Sequence, residues 1–159
     1  HEDSNEGQAR RALLDHVDVP EGNIHGYGLG AVAMWQAADA YQAKILEVAP
    51  AGFDLHLLGM GDEGHINSLF PHTDAVREKE RLVTAVTDSP KPPAERVTLT
   101  LPAVHLAEHV WLLVSGANKA EAASHVVAGS DPVDWPAAGA RGIGQTVLYL
   151  TDDAASLLP

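Results

Sequence analysis

The 159-residue sequence has no cysteine, which excludes a disulfide framework, a zinc–thiolate site and a thiol nucleophile. That absence fits a reducing compartment. No apolar run approaches the ~20 residues that cross a bilayer, and no signal-peptide pattern opens the chain. Cations are scarce, with ten Lys and Arg against twenty-two Asp and Glu and a formal charge of −12. Such a surface disfavours nonspecific nucleic-acid binding and repels anionic membranes. It does not argue against a phosphorylated small molecule, because a few local cations can dominate a pocket. The expectation is a cytoplasmic protein without nucleic-acid or membrane partners.

What is present is an ordinary globular composition, 45% hydrophobic, in a chain long enough for one domain, 1–159, with a sizeable core. Ala9, Ala12, Leu13 and Val17 recur at helical spacing, predicting a helix over 5–17 capped by Ser4 or Asn5. A second helix is expected over 31–48, Ala-rich and stopped by Pro50. Short apolar or β-branched runs predict strands at 53–58, 82–87, 97–101, 110–114 and 146–150. A helix is expected over 119–127, and loops over 90–93 and 131–144. The run 110–114 is almost wholly apolar, as for a central strand covered on both faces. Strands interleaved with helices predict an α/β fold with a parallel or mixed sheet. Ligands bind outside the carboxyl ends of such strands. Two glycine-bearing strand ends answer that description, Leu58-Gly59-Met60-Gly61 and Val114-Ser115-Gly116-Ala117-Asn118-Lys119.

Gly59, Gly61 and Gly64 satisfy the Gly-x-Gly-x-x-Gly pattern of dinucleotide sites, and Asp88 stands near the place of a ribose-binding acid. Two features oppose that reading. Asp62 and Glu63 put negative charge where a pyrophosphate needs bare backbone amides. Pro71 interrupts the stretch where a long helix should run. The alternative keeps the glycines as a sharp turn that sets His65 at the ligand edge of the sheet. A histidine there can take a proton from water near neutral pH, with Glu63 as a partner that orients the ring.

The stretch Phe53-Asp-Leu-His-Leu-Leu-Gly-Met-Gly-Asp-Glu-Gly-His65-Ile-Asn-Ser-Leu-Phe-Pro71 resembles the signature of 6-phosphogluconolactonases. Arg96-Val-Thr-Leu-Thr-Leu-Pro102-Ala103 and Val110-Trp-Leu-Leu-Val-Ser-Gly116-Ala-Asn-Lys119-Ala120 are two further matches in the family's order. The resemblance implies a Rossmann-like layered sheet with helices on both faces, of the sugar-phosphate isomerase/deaminase kind. It also implies hydrolysis of 6-phospho-D-glucono-1,5-lactone, the second step of the pentose phosphate pathway, with no metal or organic cofactor. His65 would be the general base and Glu63 the family's acidic position before the Gly-His pair. Gly59, Gly61 and Gly64 would shape the substrate site, and Lys119 would contact the substrate phosphate. Arg96 is a further candidate cation near the pocket. On spacing alone Lys119 could equally be a solvated residue opening a helix, and Arg96 a surface ion pair.

The start of the chain resembles the family just after a segment bearing an acid and an arginine. The Ser-Gly-Gly loop that cradles the phosphate in the family is not in this sequence. An N-terminally truncated domain is therefore expected, with an exposed sheet edge and little or no lactonase activity of its own. Two rivals remain. Glucosamine-6-phosphate deaminases share a similar glycine–histidine motif but carry an acid just before the proline, where this chain has Phe70. A non-catalytic sugar-phosphate-sensing domain would usually sit beside a DNA-binding module, and no helix-turn-helix pattern is visible here. Of the other histidines, His105 and His109 are four apart but straddle a loop-to-strand change that spoils a metal pair. His56 reads as structural, and His16, His25 and His125 belong to no constellation.

Overall fold

The protein is described by a computed structural model covering residues 4–159. Helix α1 (Asn5–Ala12) starts as expected, with the Ser4 hydroxyl accepting a hydrogen bond from the Gly7 amide at 3.0 Å. The helix does not run on to residue 17. It stops at Leu13 and resumes as one 3-10 turn (Leu14–His16), and none of its residues is buried. The apolar stripe of the sequence thus finds no core to face.

Helix α2 (Met34–Val48) ends where Pro50 predicted. Its Ala37, Ala38 and Ile45 are buried with Val83 and Val97 in a small cluster. Those two valines belong to an antiparallel pair, β2 (Val83–Val86) and β3 (Arg96–Leu99), with Val83 opposite Leu99. The Gln42 side chain accepts from the Leu82 amide at 2.8 Å, and Arg81 pairs with Asp39, fastening helix to hairpin.

The main sheet is parallel. Its order is β1 (Leu55–Leu58), β4 (His109–Val114), β5 (Gln145–Leu150), with β4 central. A parallel neighbour needs a crossover. One crossover carries the β2–β3 hairpin, and the other carries α5 (Ala120–Ala128). One sheet face is packed: Leu58, Val110, Leu112 and Val114 join Val104, Ala122 and Ala123 in the larger core cluster. The other face leaves Leu55, Leu57, Leu113 and Tyr149 between 41% and 57% exposed. The strand expected to be covered on both faces is covered on one.

The α/β class with a parallel sheet is as predicted, while several boundaries differ. The strand expected over 97–101 stops at Leu99, because the Thr100 hydroxyl caps a short helix α4 (Leu101–His105) whose first turn holds Pro102. Proline suits that position, where no intrahelical N–H is needed. Another short helix, α3 (Asp74–Arg77), was not anticipated, and a 3-10 turn (Pro136–Gly139) interrupts the loop expected over 131–144. No helix among the described residues is long and apolar enough to cross a membrane.

Candidate active site

Because β1 and β4 are parallel neighbours, their carboxyl ends lie side by side, bringing the loops after Leu58 and Val114 together. The first loop folds back on itself. The Gly61 amide donates to His65 O at 2.9 Å, and the Gly64 amide donates to Gly61 O at 3.1 Å. Gly64 has φ +78°, and a Cβ there would stand 2.9 Å from the Trp135 ring. A Cβ on Gly61 would lie 2.0 Å from His65 Nδ1 and 2.6 Å from Glu63 Oε2. These two glycines therefore supply a turn and a close approach that other residues would obstruct. No helix follows this turn until α3, so no helix N-terminus is offered to a pyrophosphate.

A cavity of about 470 Å³ opens at this edge, lined by Gly59, Gly61, His65, Arg96 and Lys119, with Asn5, Asn67 and Lys91 among its other residues. Gly64 and Glu63 do not line it; Glu63 stands behind His65. A second cavity of similar size, about 460 Å³, is lined by Leu29, Val32, Met34 and Trp35 and has Glu95 as its one titratable residue. The first gathers a histidine and three cations.

His65 is half-buried. Its ring lies 4.4 Å from the Phe70 ring, centroid to centroid. Its Nδ1 is 3.2 Å from Glu63 Oε2, a contact too bent for a good hydrogen bond, as is common before substrate binds. Burial pushes the imidazole below its ordinary pKa, Glu63 opposes that shift, and the nearby charges of Lys91 and Lys119 add to it. Burial also acts to raise the Glu63 carboxyl. It is outweighed by the hydrogen bond from Lys91, backbone amides and the neighbouring His65, so Glu63 stays ionised below the usual range. Asp62 is held down by Lys91 before all other groups.

Lys91 was not anticipated by the sequence reading. Its Nζ lies 2.8 Å from Glu63 Oε1 and 3.0 Å from Asp62 Oδ1. The available signal was a lysine set between prolines, in Ser89-Pro90-Lys91-Pro92-Pro93, within a chain poor in cations. Asn67 was missed too. It adopts φ +51° and keeps a buried Nδ2 without a protein partner.

Lys119 occupies a single 3-10 turn (Ala117–Lys119) after β4 and reaches Asp62 only loosely, at 3.8 Å. Arg96 reaches the cavity, yet its guanidinium is engaged. Nε donates to Pro93 O at 3.0 Å, and Nη2 donates to Lys91 O and Pro92 O, each at 2.9 Å. Its Cζ sits 5.5 Å over the Phe70 ring. Lys91, Lys119 and Arg96 together outnumber Asp62 and Glu63, so this edge is locally cationic in an acidic chain.

None of the other described histidines lines this cavity. His105 Nε2 is 2.8 Å from Gly139 O, His109 opens β4, and His56 is buried within β1. The described residues contain no group of three His, Asp or Glu side chains placed to hold a metal.

Residues 1–148 match the family model for glucosamine-6-phosphate isomerases/6-phosphogluconolactonase. The chain belongs to this family. It is 51% identical to the 6-phosphogluconolactonase of Mycobacterium tuberculosis over 96% of its own length and 65% of that protein's. The chain thus spans just under two thirds of the length of that relative. Its fold superimposes on the crystal structure of the Thermotoga maritima 6-phosphogluconolactonase with a TM-score of 0.82 at 28% identity, covering 94% of this chain and 67% of that one. A monomeric glucosamine-6-phosphate deaminase has the same fold, with a TM-score of 0.81 at 22% identity, over 99% of this chain and 68% of that one. Proteins of both activities share the architecture, so the site must separate them.

Proposed function

We propose that the protein to which this chain belongs hydrolyses 6-phospho-D-glucono-1,5-lactone to 6-phosphogluconate, in the oxidative branch of the pentose phosphate pathway. The observation that carries this reading is the His65–Glu63 contact of 3.2 Å at a cavity that also holds Lys119. Glu63 at Nδ1 leaves Nε2 as the base. A water loses a proton to Nε2 as its oxygen bonds to the lactone carbonyl carbon. The tetrahedral oxyanion collapses, the bond to the ring oxygen breaks, and that oxygen takes the proton from His65. The resulting carboxylic acid ionises.

Lys119 binds the phosphate in this scheme, because its one loose carboxylate contact leaves the ammonium available. Gly59 and Gly61 form part of the cavity wall, and Gly64 shapes the site indirectly, through the turn that presents His65. Arg96 adds positive potential to the cavity while its donors hold the protein's own carbonyls. Residues 1–159 serve as one α/β unit, a reading supported by Phe53, which packs against both core clusters. The step draws on no metal or organic cofactor. The acidic composition argues against a nucleic-acid partner, and a cytoplasmic location is part of the same reading.

The rival deaminase chemistry needs an additional proton carrier beside His65. Phe70 fills that place with a ring that is 1% exposed and packs on the imidazole. The deciding experiment offers the whole protein both substrates. Fast opening of fresh lactone with no ammonia release from glucosamine 6-phosphate is expected, and the reverse pattern refutes the assignment. The 51% identity to a 6-phosphogluconolactonase favours the same outcome.

A further inference from the structure

We propose that Lys91 is the positioning residue of this site: its ammonium locks the Glu63 carboxylate against the Nδ1 edge of His65, and Arg96 anchors the loop that delivers it. This deepens the hydrolase reading and rests on it for its kinetic consequences, though not for its structural ones.

The geometry points to Lys91 on two grounds. First, its Nζ contacts both Glu63 oxygens, Oε1 at 2.8 Å and Oε2 at 2.9 Å, and Oε2 is the atom facing His65. A carboxylate side chain has several rotamers available, and a point charge bridging both oxygens selects one. The same Nζ holds Asp62 Oδ1 at 3.0 Å, so one ammonium fixes two successive acids of the catalytic turn. Second, Lys91 comes from the β2–β3 hairpin, which is not itself part of the sheet that bears His65. A lysine on a free hairpin tip would be an exposed ion pair of little worth. Here the tip is fastened. Arg96, at the start of β3, donates to the carbonyls of Lys91, Pro92 and Pro93. The Ser89 hydroxyl donates to Lys91 O at 2.9 Å as well. Arg96 also stacks over Phe70, the ring on which His65 rests. The hairpin loop and the catalytic turn are thereby tied at both the lysine and the aromatic ring.

The charges facing His65 are Glu63 on its own turn, Lys91 from the hairpin and Lys119 from the loop after β4; Arg96 and Asp62 complete the ring of charge. Removing Lys91 takes away a cation beside the imidazole and loosens the carboxylate that steadies it.

The test compares Lys91→Met and Lys91→Arg with wild type in the whole protein, by kinetics and by NMR titration of the His65 ring. The methionine variant should lose roughly 10- to 100-fold in kcat, with KM changed far less, since it misplaces the base without touching substrate. Its His65 titration midpoint should move upward, and arginine, which can hold both carboxylate oxygens, should restore much of kcat. A rise in KM with kcat intact would make Lys91 a substrate-binding cation and overturn the proposal. So would His65 and Glu63 midpoints that both stay at their wild-type values, read in the same titration without any substrate. Lactone offered to the wild type, run alongside, separates the two ideas: no turnover there sinks the hydrolase reading, whereas the titration still judges Lys91.

Discussion

His56, inside β1, and His65, in the turn that follows it, are both pushed toward neutrality by burial but in different company. His56 is 7% exposed, its Nδ1 has no partner, and its ring meets Phe53 edge-on at 5.5 Å. Burial alone brings its pKa down to about 4. His65 is less buried and has a carboxylate at Nδ1, with two lysines nearby. Desolvation without charge makes a histidine inert, whereas desolvation opposed by a carboxylate makes one that can exchange a proton. The turn glycines produce the second case by lifting the chain out of the strand.

The sharpest way to break this comparison is to remove each ring. His65→Ala should cost roughly 10²- to 10⁴-fold in kcat, the range for a lost general base. The same variant should melt close to wild type, because the site is partly open to solvent. Turnover and thermal melts on one preparation check both halves. An inactive His65→Ala that is also unfolded would erase the contrast with His56.

His56 should instead appear in stability. Its pKa is about 4 in the fold against 6.5 for an ordinary histidine, so the unfolded chain binds the extra proton between those values. Stability from this group is complete above pH 6.5 and is lost as pH falls toward 4. The loss amounts to about 3 kcal/mol. Urea unfolding across that window should show the slope, and His56→Leu should flatten it. Gly61→Ala follows in size. The new methyl group would occupy the space of His65 Nδ1, and a displacement of about 1 Å costs on the order of 10²-fold in rate. Kinetics with an unchanged circular dichroism spectrum would confirm a local effect.

Much of this contrast was legible in the sequence. The glycine pattern placed His65 at a strand end, the acids within it argued against a nucleotide, and Phe70 argued for the lactonase reading over the deaminase one. Ser4 and Pro50 marked helix ends by local chemistry, which a single sequence records well. Lys91 was not legible, because its role depends on a hairpin tip meeting a turn far away in the chain. Arg96 was legible as a cation near the pocket but not as a brace, since its partners are carbonyl oxygens that every residue carries. The strand expected over 97–101 was misjudged for a local reason: Thr100 and Leu101 continue the β-branched and apolar pattern, while the Thr100 hydroxyl acts as a helix cap. The stripe of Ala9, Ala12, Leu13 and Val17 had the right period, yet no period reveals whether a surface exists to bury it.

The smallest effect is the most diagnostic of how His65 differs from His56. Glu63 raises the His65 pKa against the larger pull of burial. Glu63→Gln keeps the shape and removes that charge, so the imidazole should move further down, toward the condition of His56. In the proposed mechanism the rate depends on neutral His65. Its acid limb already lies below the ordinary histidine range, and in this variant it should shift to still lower pH. Lys91→Met should displace the same limb the other way, because it removes a cation. A pH–kcat/KM profile for the two variants reads both signs at once. Opposite displacements would establish that the charges around the turn, and not burial alone, distinguish the two histidines. Displacements of the same sign would mean that loosening of the turn outweighs its charges.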